Sequence, residues 1–296
     1  MTTSDSPART ALVTGANQGL GRALVAGLAS RLGPEDRVLL TGRHPGRVLA
    51  AAAEVSAEVP DGGASVEGRV LDVRDPAAIH ALADELGSVD IVFSNAWARV
   101  TPEADPASEV DGVADTSNVA TSHVLRAFGP RLAPGGRLVV VASSLGTLDK
   151  LDPLVRPRFA AAAEEDLDAV DQLVEEWRAA VHAGRAEEEG FGAWLNTPSK
   201  VAQVAAVRAY ARGRRVADLR DGVLVAALCP GLIDTDASRP WFEDMSSAQT
   251  PAEAAAWPVE LVLGSADVAA WHGKLLQFGS VVPWETGTPV PGRIAG

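Results

Sequence analysis

Residues 14–21 read TGANQGLG and follow a short apolar run, Ala11 to Val13. They open a segment that carries Leu20, Leu24, Leu28 and Leu32 at helical spacing. A strand that ends in a glycine turn and enters a helix points unpaired backbone N–H groups, and the positive end of the helix dipole, at an anion. Gly15, Gly19 and Gly21 are spaced G-x-x-x-G-x-G. In such a turn one glycine allows the tight bend, one lets the backbone approach a ligand and one lets helix and strand pack closely. Taken alone, the same residues also describe an ordinary strand-to-helix turn. The rest of the chain decides between the two.

Arg37 to Thr41 reads as a second strand, Gly46 to Glu58 as a helix and Val66 to Leu71 as a third strand running into Asp72 and Val73. Asp75 before Pro76 gives an N-cap and a first-turn proline for a helix ending near Leu86. Val89 to Phe93 is a fourth strand, followed by Ser94, Asn95, Ala96 and Trp97. Val110 to Leu132 is mostly helical and includes Asn118, and Arg137 to Ala142 is a fifth strand ending at Ser143 and Ser144. A helix follows Lys200 to about Arg212, Val223 to Leu228 is a sixth strand, and Leu275 to Gly279 a last one. Thr250, Pro251 and Glu253 form a capping box for a helix between them. Strands alternating with helices predict an α/β fold: a doubly wound parallel sheet (Rossmann fold) with helices on both faces, residues 1–296 forming one domain. Ligands of such sheets bind beyond the carboxyl ends of the strands, where the polar groups just named fall.

Composition narrows the ligand. A net charge of -13 argues against nucleic acid or an anionic membrane as partner, so a bound phosphate needs locally placed cations. Arg43 stands at the end of the second strand, with Arg47 beyond it and no acid between Val38 and Ala53. A carboxylate there would bind the ribose hydroxyls of NAD, whereas Arg accommodates the 2′-phosphate of NADP(H), unless the stretch is only a solvated basic loop. The single Cys229 excludes an internal disulfide. The polar start lacks the features of a signal peptide, and no apolar run suits a membrane span. The expectation is a cytoplasmic protein without a bound metal.

These residues together resemble the short-chain dehydrogenase/reductase family over nearly the whole chain. The resemblance rests on the TGxxxGxG turn, Asp72-Val73, the SNAW after the fourth strand, Asn118, the Ser143-Ser144 pair, and CPGLIDTD from Cys229 to Asp236, all in the family's order. It implies an NADPH site built from Gly15, Asn17, Gln18, Gly19, Leu20, Gly21, Arg43, Asp72, Val73, Asn95, Ala96, Lys200, Pro230, Gly231, Ile233 and Thr235. It also implies that Ser144 hydrogen-bonds a substrate carbonyl, that Lys200 holds the nicotinamide ribose and that Asn118 supports a water-linked proton relay.

One position departs from the pattern. The family's Tyr, four residues before the Lys, protonates the carbonyl oxygen, and here that position is Asn196. Asn196 and Lys200 still share a helix face, but an amide only donates a hydrogen bond to a developing alkoxide and is no general acid. Tyr210, the chain's one Tyr, lies fourteen residues farther on, too far along a helix to substitute. The proton then comes from water on the Lys200 and Asn118 side, or from a hydroxyl that the substrate carries beside its carbonyl. Trp97, Trp194 and Trp241 either offer flat faces to such an aromatic ketone or quinone or belong to the core.

Residues 146–195 form an insertion between Ser144 and Asn196 that is far shorter in most of the family. Within it Leu167, Val170, Val174, Trp177 and Val181 repeat at three and four behind Glu164, Glu165 and Asp166. A helix with this stripe covers either core or a pocket, and its place beside the expected site favours a helical lid. An insertion here resembles that of the monomeric carbonyl reductases, which implies a monomer. The leading expectation is an NADPH-dependent ketoreductase. The alternatives are a redox-inactive NADP-binding sensor or scaffold, and a non-redox cyclase or isomerase on the same fold.

Overall fold

The computed structural model of the chain describes residues 7–287. Strand β1 (Thr10–Val13) leads through the glycine turn into α1 (Gly19–Arg31), β2 (Arg37–Gly42), α2 (Pro45–Glu58), β3 (Ser65–Val70), α3 (Pro76–Leu86) and β4 (Val89–Ser94). Then come α4 (Pro106–Val113), α5 (Ala120–Phe128), β5 (Leu132–Val141), α6 (Arg156–Glu165), α7 (Leu167–His182), α8 (Asn196–Arg220) and β6 (Leu224–Leu228). The chain continues through α9 (Pro251–Leu263), α10 (Val268–Trp271), β7 (Leu275–Gln277) and β8 (Ser280–Val282). One sheet has the order β3-β2-β1-β4-β5-β6-β7-β8, parallel throughout except for the final antiparallel pair. The fold is therefore the doubly wound one expected.

Helices cover both faces, so β1 and β6 are buried along their whole length. On one face Leu24, Leu28, Val48 and Val259 form a core; on the other, Phe128, Trp177 and Val204 do. The chain passes from β1 outward to β2 and β3 and returns to the other side of β1 as β4. This reversal opens a crevice at the carboxyl end of β1, where the glycine turn lies.

Five boundaries differ from expectation. The stretch from Val110 is interrupted by a π-turn at Ala114–Val119, and β5 begins early, at Leu132, which pairs with Val89. Helix α8 runs on to Arg220, supported by an Arg214–Asp218 ion pair one turn apart. The last strand is half of a hairpin whose two turn residues, Phe278 and Gly279, have φ of 46° and 77°. Positive φ at both places is the hairpin geometry, but Phe seldom signals it. Finally, Glu164 and Glu165 end the unexpected helix α6 instead of starting α7. Negative charge opposes the dipole there, and Arg208 and Arg212 of α8 each reach Glu164 at 3.4 Å. Asp166 is the N-cap of α7, accepting from the Ala169 N–H at 2.9 Å.

The apolar stripe of the insertion's second helix, α7, is part of the core. The stripe Leu167, Val170, Val174, Trp177 and Val181 is buried in the same core as α5 and α8. Asp171 accepts from Arg126 at 2.7 Å and from the Ser122 hydroxyl at 2.5 Å, and Arg178 pairs with Asp115. The stripe thus covers the outer face of α4, the π-turn and α5. At the start of α8, the connection after α7 lines a cavity with Lys150, Asp152 and Thr197, and Gly146 lies against Lys200, where a Cβ would stand 2.9 Å from the Lys200 carbonyl oxygen. Among the described residues no helix is long and apolar enough to cross a membrane.

Candidate active site

The glycine turn is braced from the neighbouring strand. The backbone N–H groups of Asn95 and Ala96 donate to Thr14 Oγ1 at 2.9 and 3.0 Å, and Asn95 Nδ2 donates to Thr14 O at 2.9 Å and Gly15 O at 3.2 Å. Gly15 has φ 62°, and a Cβ there would stand 2.7 Å from Ala96 Cα. A Cβ on Gly21 would stand 2.6 Å from Asn95 Nδ2. These two glycines let β1, β4 and α1 converge. Gly19 is different: its Cβ position is 3.6 Å from the Thr235 methyl and meets nothing else within 4 Å among the described residues. Helix α1 has no acid in its first turn, and Gln18, its N-cap, makes no side-chain cap. Backbone N–H groups at Gly19, Leu20 and Gly21 therefore suit a diphosphate. Across the crevice, Pro230 O accepts from Gln249 Nε2 at 3.0 Å, and Ile233 bridges Gln249. Ser238 ties Thr235 from both its N–H and its hydroxyl.

At the far end of the crevice, Arg43, His44 and Arg47 are exposed, and Arg43 Nε donates to His44 Nε2 at 3.1 Å. Helix α2 starts here without an acid in its first turn, so this corner suits a second anion. The side chain of Asn17 lies beside Gly42, whose Cβ would stand 2.9 Å from Asn17 Oδ1. Val73 is buried, and Asp72 accepts from the Arg74 backbone N–H at 3.0 Å and from its guanidinium. Those hydrogen bonds hold the Asp72 carboxyl below the usual carboxylate range, with Arg43 contributing.

Lys200 is the chemical centre of the site. It is 9% exposed, and its Nζ donates to Gln203 Oε1 at 2.9 Å and Val141 O at 3.3 Å. The same ammonium sits 3.8 Å from the centroid of the Trp97 ring. Burial lowers its pKa to about 7, against a smaller opposing effect of Cys229. Ser144, at the end of β5, donates a hydrogen bond to Cys229, whose thiol also accepts from Gln277 Nε2 at 3.3 Å. Burial pushes that thiol up. Ser144 is itself exposed.

Asn118 is buried and joined to α8 through Ser199, not through Lys200. Its Nδ2 donates to Ser199 O and its Oδ1 accepts from the Ser199 hydroxyl, both at 2.8 Å. Asn196 is the first residue of α8, and its Oδ1 is buried without a donor among the described residues. Tyr210 is buried against Gly129, and burial raises its phenol well above the ordinary range. It plays no part here.

The three tryptophans divide. Trp97 faces Lys200, whereas Trp194 and Trp241 meet each other at 5.6 Å with their planes tilted by 43°. Trp241 Nε1 donates to Val100 O at 3.3 Å. Trp194 is 37% exposed. Two participants were not foreseen from sequence, Gln203 and Arg74. Gln203 follows Lys200 by three residues, which places it on the same helix face. Arg74 follows Asp72 by two, the reach of a local side-chain-to-backbone turn.

Known proteins resemble this chain in sequence and in fold. The profile of the family described as short chain dehydrogenase matches residues 9–152. Carbonyl reductase (NADPH) 1 of Sus scrofa is 30% identical over 290 residues, covering 94% of this chain and 95% of its own. Carbonyl reductase (NADPH) 3 of Mus musculus is 31% identical over 291 residues, covering 94% and 99%. Among solved structures, salutaridine reductase from Papaver somniferum has a TM-score of 0.73 at 22% identity over 88% of this chain and 97% of its own. The NADPH-bound carbonyl reductase from chicken fatty liver has a TM-score of 0.66 at 21% identity over 94% and 100%. The two structures share the fold, and the two sequence relatives run the length of this chain: it belongs to the short-chain dehydrogenase/reductase family.

Proposed function

We propose that this protein is an NADPH-dependent ketoreductase that reduces a ketone or quinone of a large, aromatic, polyketide-like substrate to an alcohol, without a protein general acid. The observation that carries the reading is a buried Lys200 one turn along α8 from Asn196, which stands where an acid is expected. Bound NADPH supplies the hydride. Gly19 to Gly21 receive the diphosphate, Arg43 the 2′-phosphate and Lys200 the nicotinamide ribose. Ser144 donates to the substrate carbonyl, and the rings of Trp97, Trp194 and Trp241 line the approach. The carbonyl oxygen takes its proton from a neighbouring phenol of the substrate, which solvent then reprotonates, or from water beside Lys200. An orphaned acceptor at Asn196 Oδ1 suits either donor, a hydroxyl or a water.

In lacking the tyrosine, such an enzyme resembles the atypical ketoreductase of simocyclinone biosynthesis, which supports an antibiotic-type polyketide as substrate class. The insertion's cover over α4 and α5 supports a monomer. The test is NADPH oxidation with hydroxylated quinones and aromatic ketones, each beside its O-methyl ether. If the substrate's hydroxyl gives the proton, the ethers react more slowly by about 10²–10⁴-fold, the usual contribution of a general acid. Equal rates select the water route. A panel in which no ketone oxidises the cofactor refutes the reading and leaves the sensor or scaffold.

A further inference from the structure

The Lys200 ammonium has two acceptors and one ring face close by, and one partner stands out. Val141 O is a sheet carbonyl whose place is set by β5, and Trp97 offers only a ring face. Gln203 gives the shortest contact, 2.9 Å, from a side chain that is 1% exposed. Its other end is equally constrained. Gln203 Nε2 donates to Ser117 O at 3.1 Å and to Thr121 Oγ1 at 3.3 Å, while Thr121 Oγ1 itself donates to Ser117 O at 2.6 Å. With two acceptors on one side, the amide has its Oε1 turned to the lysine, and the network permits no flip. The residues on the Ser117 side belong to the π-turn and the start of α5, so Gln203 links the widened helix to the ammonium.

We propose that Gln203 is the positioning residue of Lys200: its amide oxygen sets where the ammonium sits and how firmly it keeps its proton. Among the described residues no carboxylate pairs with Lys200. The titratable group that faces it is the Cys229 thiol at the end of β6, with Ser144 after β5 and Trp97 after β4 completing its surroundings. In an enclosure this poor in charge, a single neutral acceptor has a large share in stabilising the ammonium. The consequence for the reaction rests on the ketoreductase reading. A lysine poised near neutrality and aimed by Gln203 is the natural terminus of a water route to the carbonyl oxygen.

The test does not require turnover. The chain has three lysines, Lys150, Lys200 and Lys274, so ¹³Cε labelling of lysine gives a spectrum in which Lys200→Met identifies the signal of interest. In the cofactor-free full chain, Gln203→Met is expected to lower the Lys200 titration midpoint by about one pH unit, the loss of one good hydrogen bond to the charged form. Gln203→Glu is expected to raise it by about one unit or more. If a ketone is reduced, the pH profile of kcat/KM moves in the same directions. A Gln203→Met midpoint within a few tenths of a unit of wild type overturns the proposal, whatever Gln203→Glu does. Circular dichroism confirms folding, and Gln203→Leu replaces any variant that fails. If no substrate is turned over, the ketoreductase reading falls while the midpoint still decides the role of Gln203.

Discussion

Lys200→Met is expected to lower kcat/KM for NADPH-dependent ketone reduction by about 10²–10⁴-fold, because no other buried cation among the described residues faces the crevice. The same substitution has a second, oppositely directed effect on stability. Folded Lys200 releases its proton near pH 7, whereas in the unfolded chain a lysine holds it to about pH 10.4. Below pH 7 both states are protonated and the whole cost of burying the charge is present. Between the two values the unfolded chain binds more protons, so wild-type stability gains as pH rises. Lys200→Met lacks that term. The difference between the two proteins should shift toward wild type by about 1.4 kcal/mol per pH unit above neutrality. Denaturant unfolding at about pH 7 and about pH 9 reads it, and a constant difference would show that Lys200 keeps an ordinary proton affinity in the fold.

Gly21→Ala is the other change with a large expected effect. The added Cβ would meet Asn95 Nδ2 and Gly15 O at 2.6 Å and Ala16 Cα at 2.8 Å. Two of these contacts are backbone, which has little room to yield. Moving the Asn95 amide also releases the hydrogen bonds it donates to Thr14 O and Gly15 O. Overpacking with broken buried hydrogen bonds should cost about 2–4 kcal/mol of stability. NADPH affinity should fall by at least about tenfold as the turn distorts. Gly213→Ala, in α8 with nothing among the described residues within 4 Å of the added carbon, is the control and should stabilise by up to about 1 kcal/mol. Thermal melts and a cofactor titration of both variants separate a packing effect from a generic cost of replacing glycine.

How much of this could be read without coordinates depended on range. The strands and capped helices were legible because their signals are local: Asp75 before Pro76, the capping box at Thr250 and Glu253, and continuous apolar runs. The glycine turn, Asp72-Val73 and Lys200 were legible because a motif fixes residue types at short spacings. The insertion was half legible. Its stripe marks a buried face, but periodicity does not say which surface buries it, and the answer lay in pairings of Asp171 and Arg178 with residues far away in sequence. The same limit applies to Asn118. Its partner, Ser199, is 81 positions away and carries no signature. Phe278 hid a hairpin because its positive φ is imposed by pairing of β7 with β8 and not by its own preference. Gln203 needed only the i, i+3 rule, applied from Lys200 forward as well as backward.

Central to the proposed function is hydride delivery from NADPH to a carbonyl carbon by a chain that lacks the family's tyrosine. Its most direct test supplies NADPH carrying deuterium at the transferable C4 position together with a hydroxylated aromatic ketone, and analyses the product by mass spectrometry. The predicted product is the alcohol with deuterium on the carbinol carbon. A rearranged product of unchanged mass and without label, or recovery of every ketone unreduced while the cofactor stays bound, would contradict it.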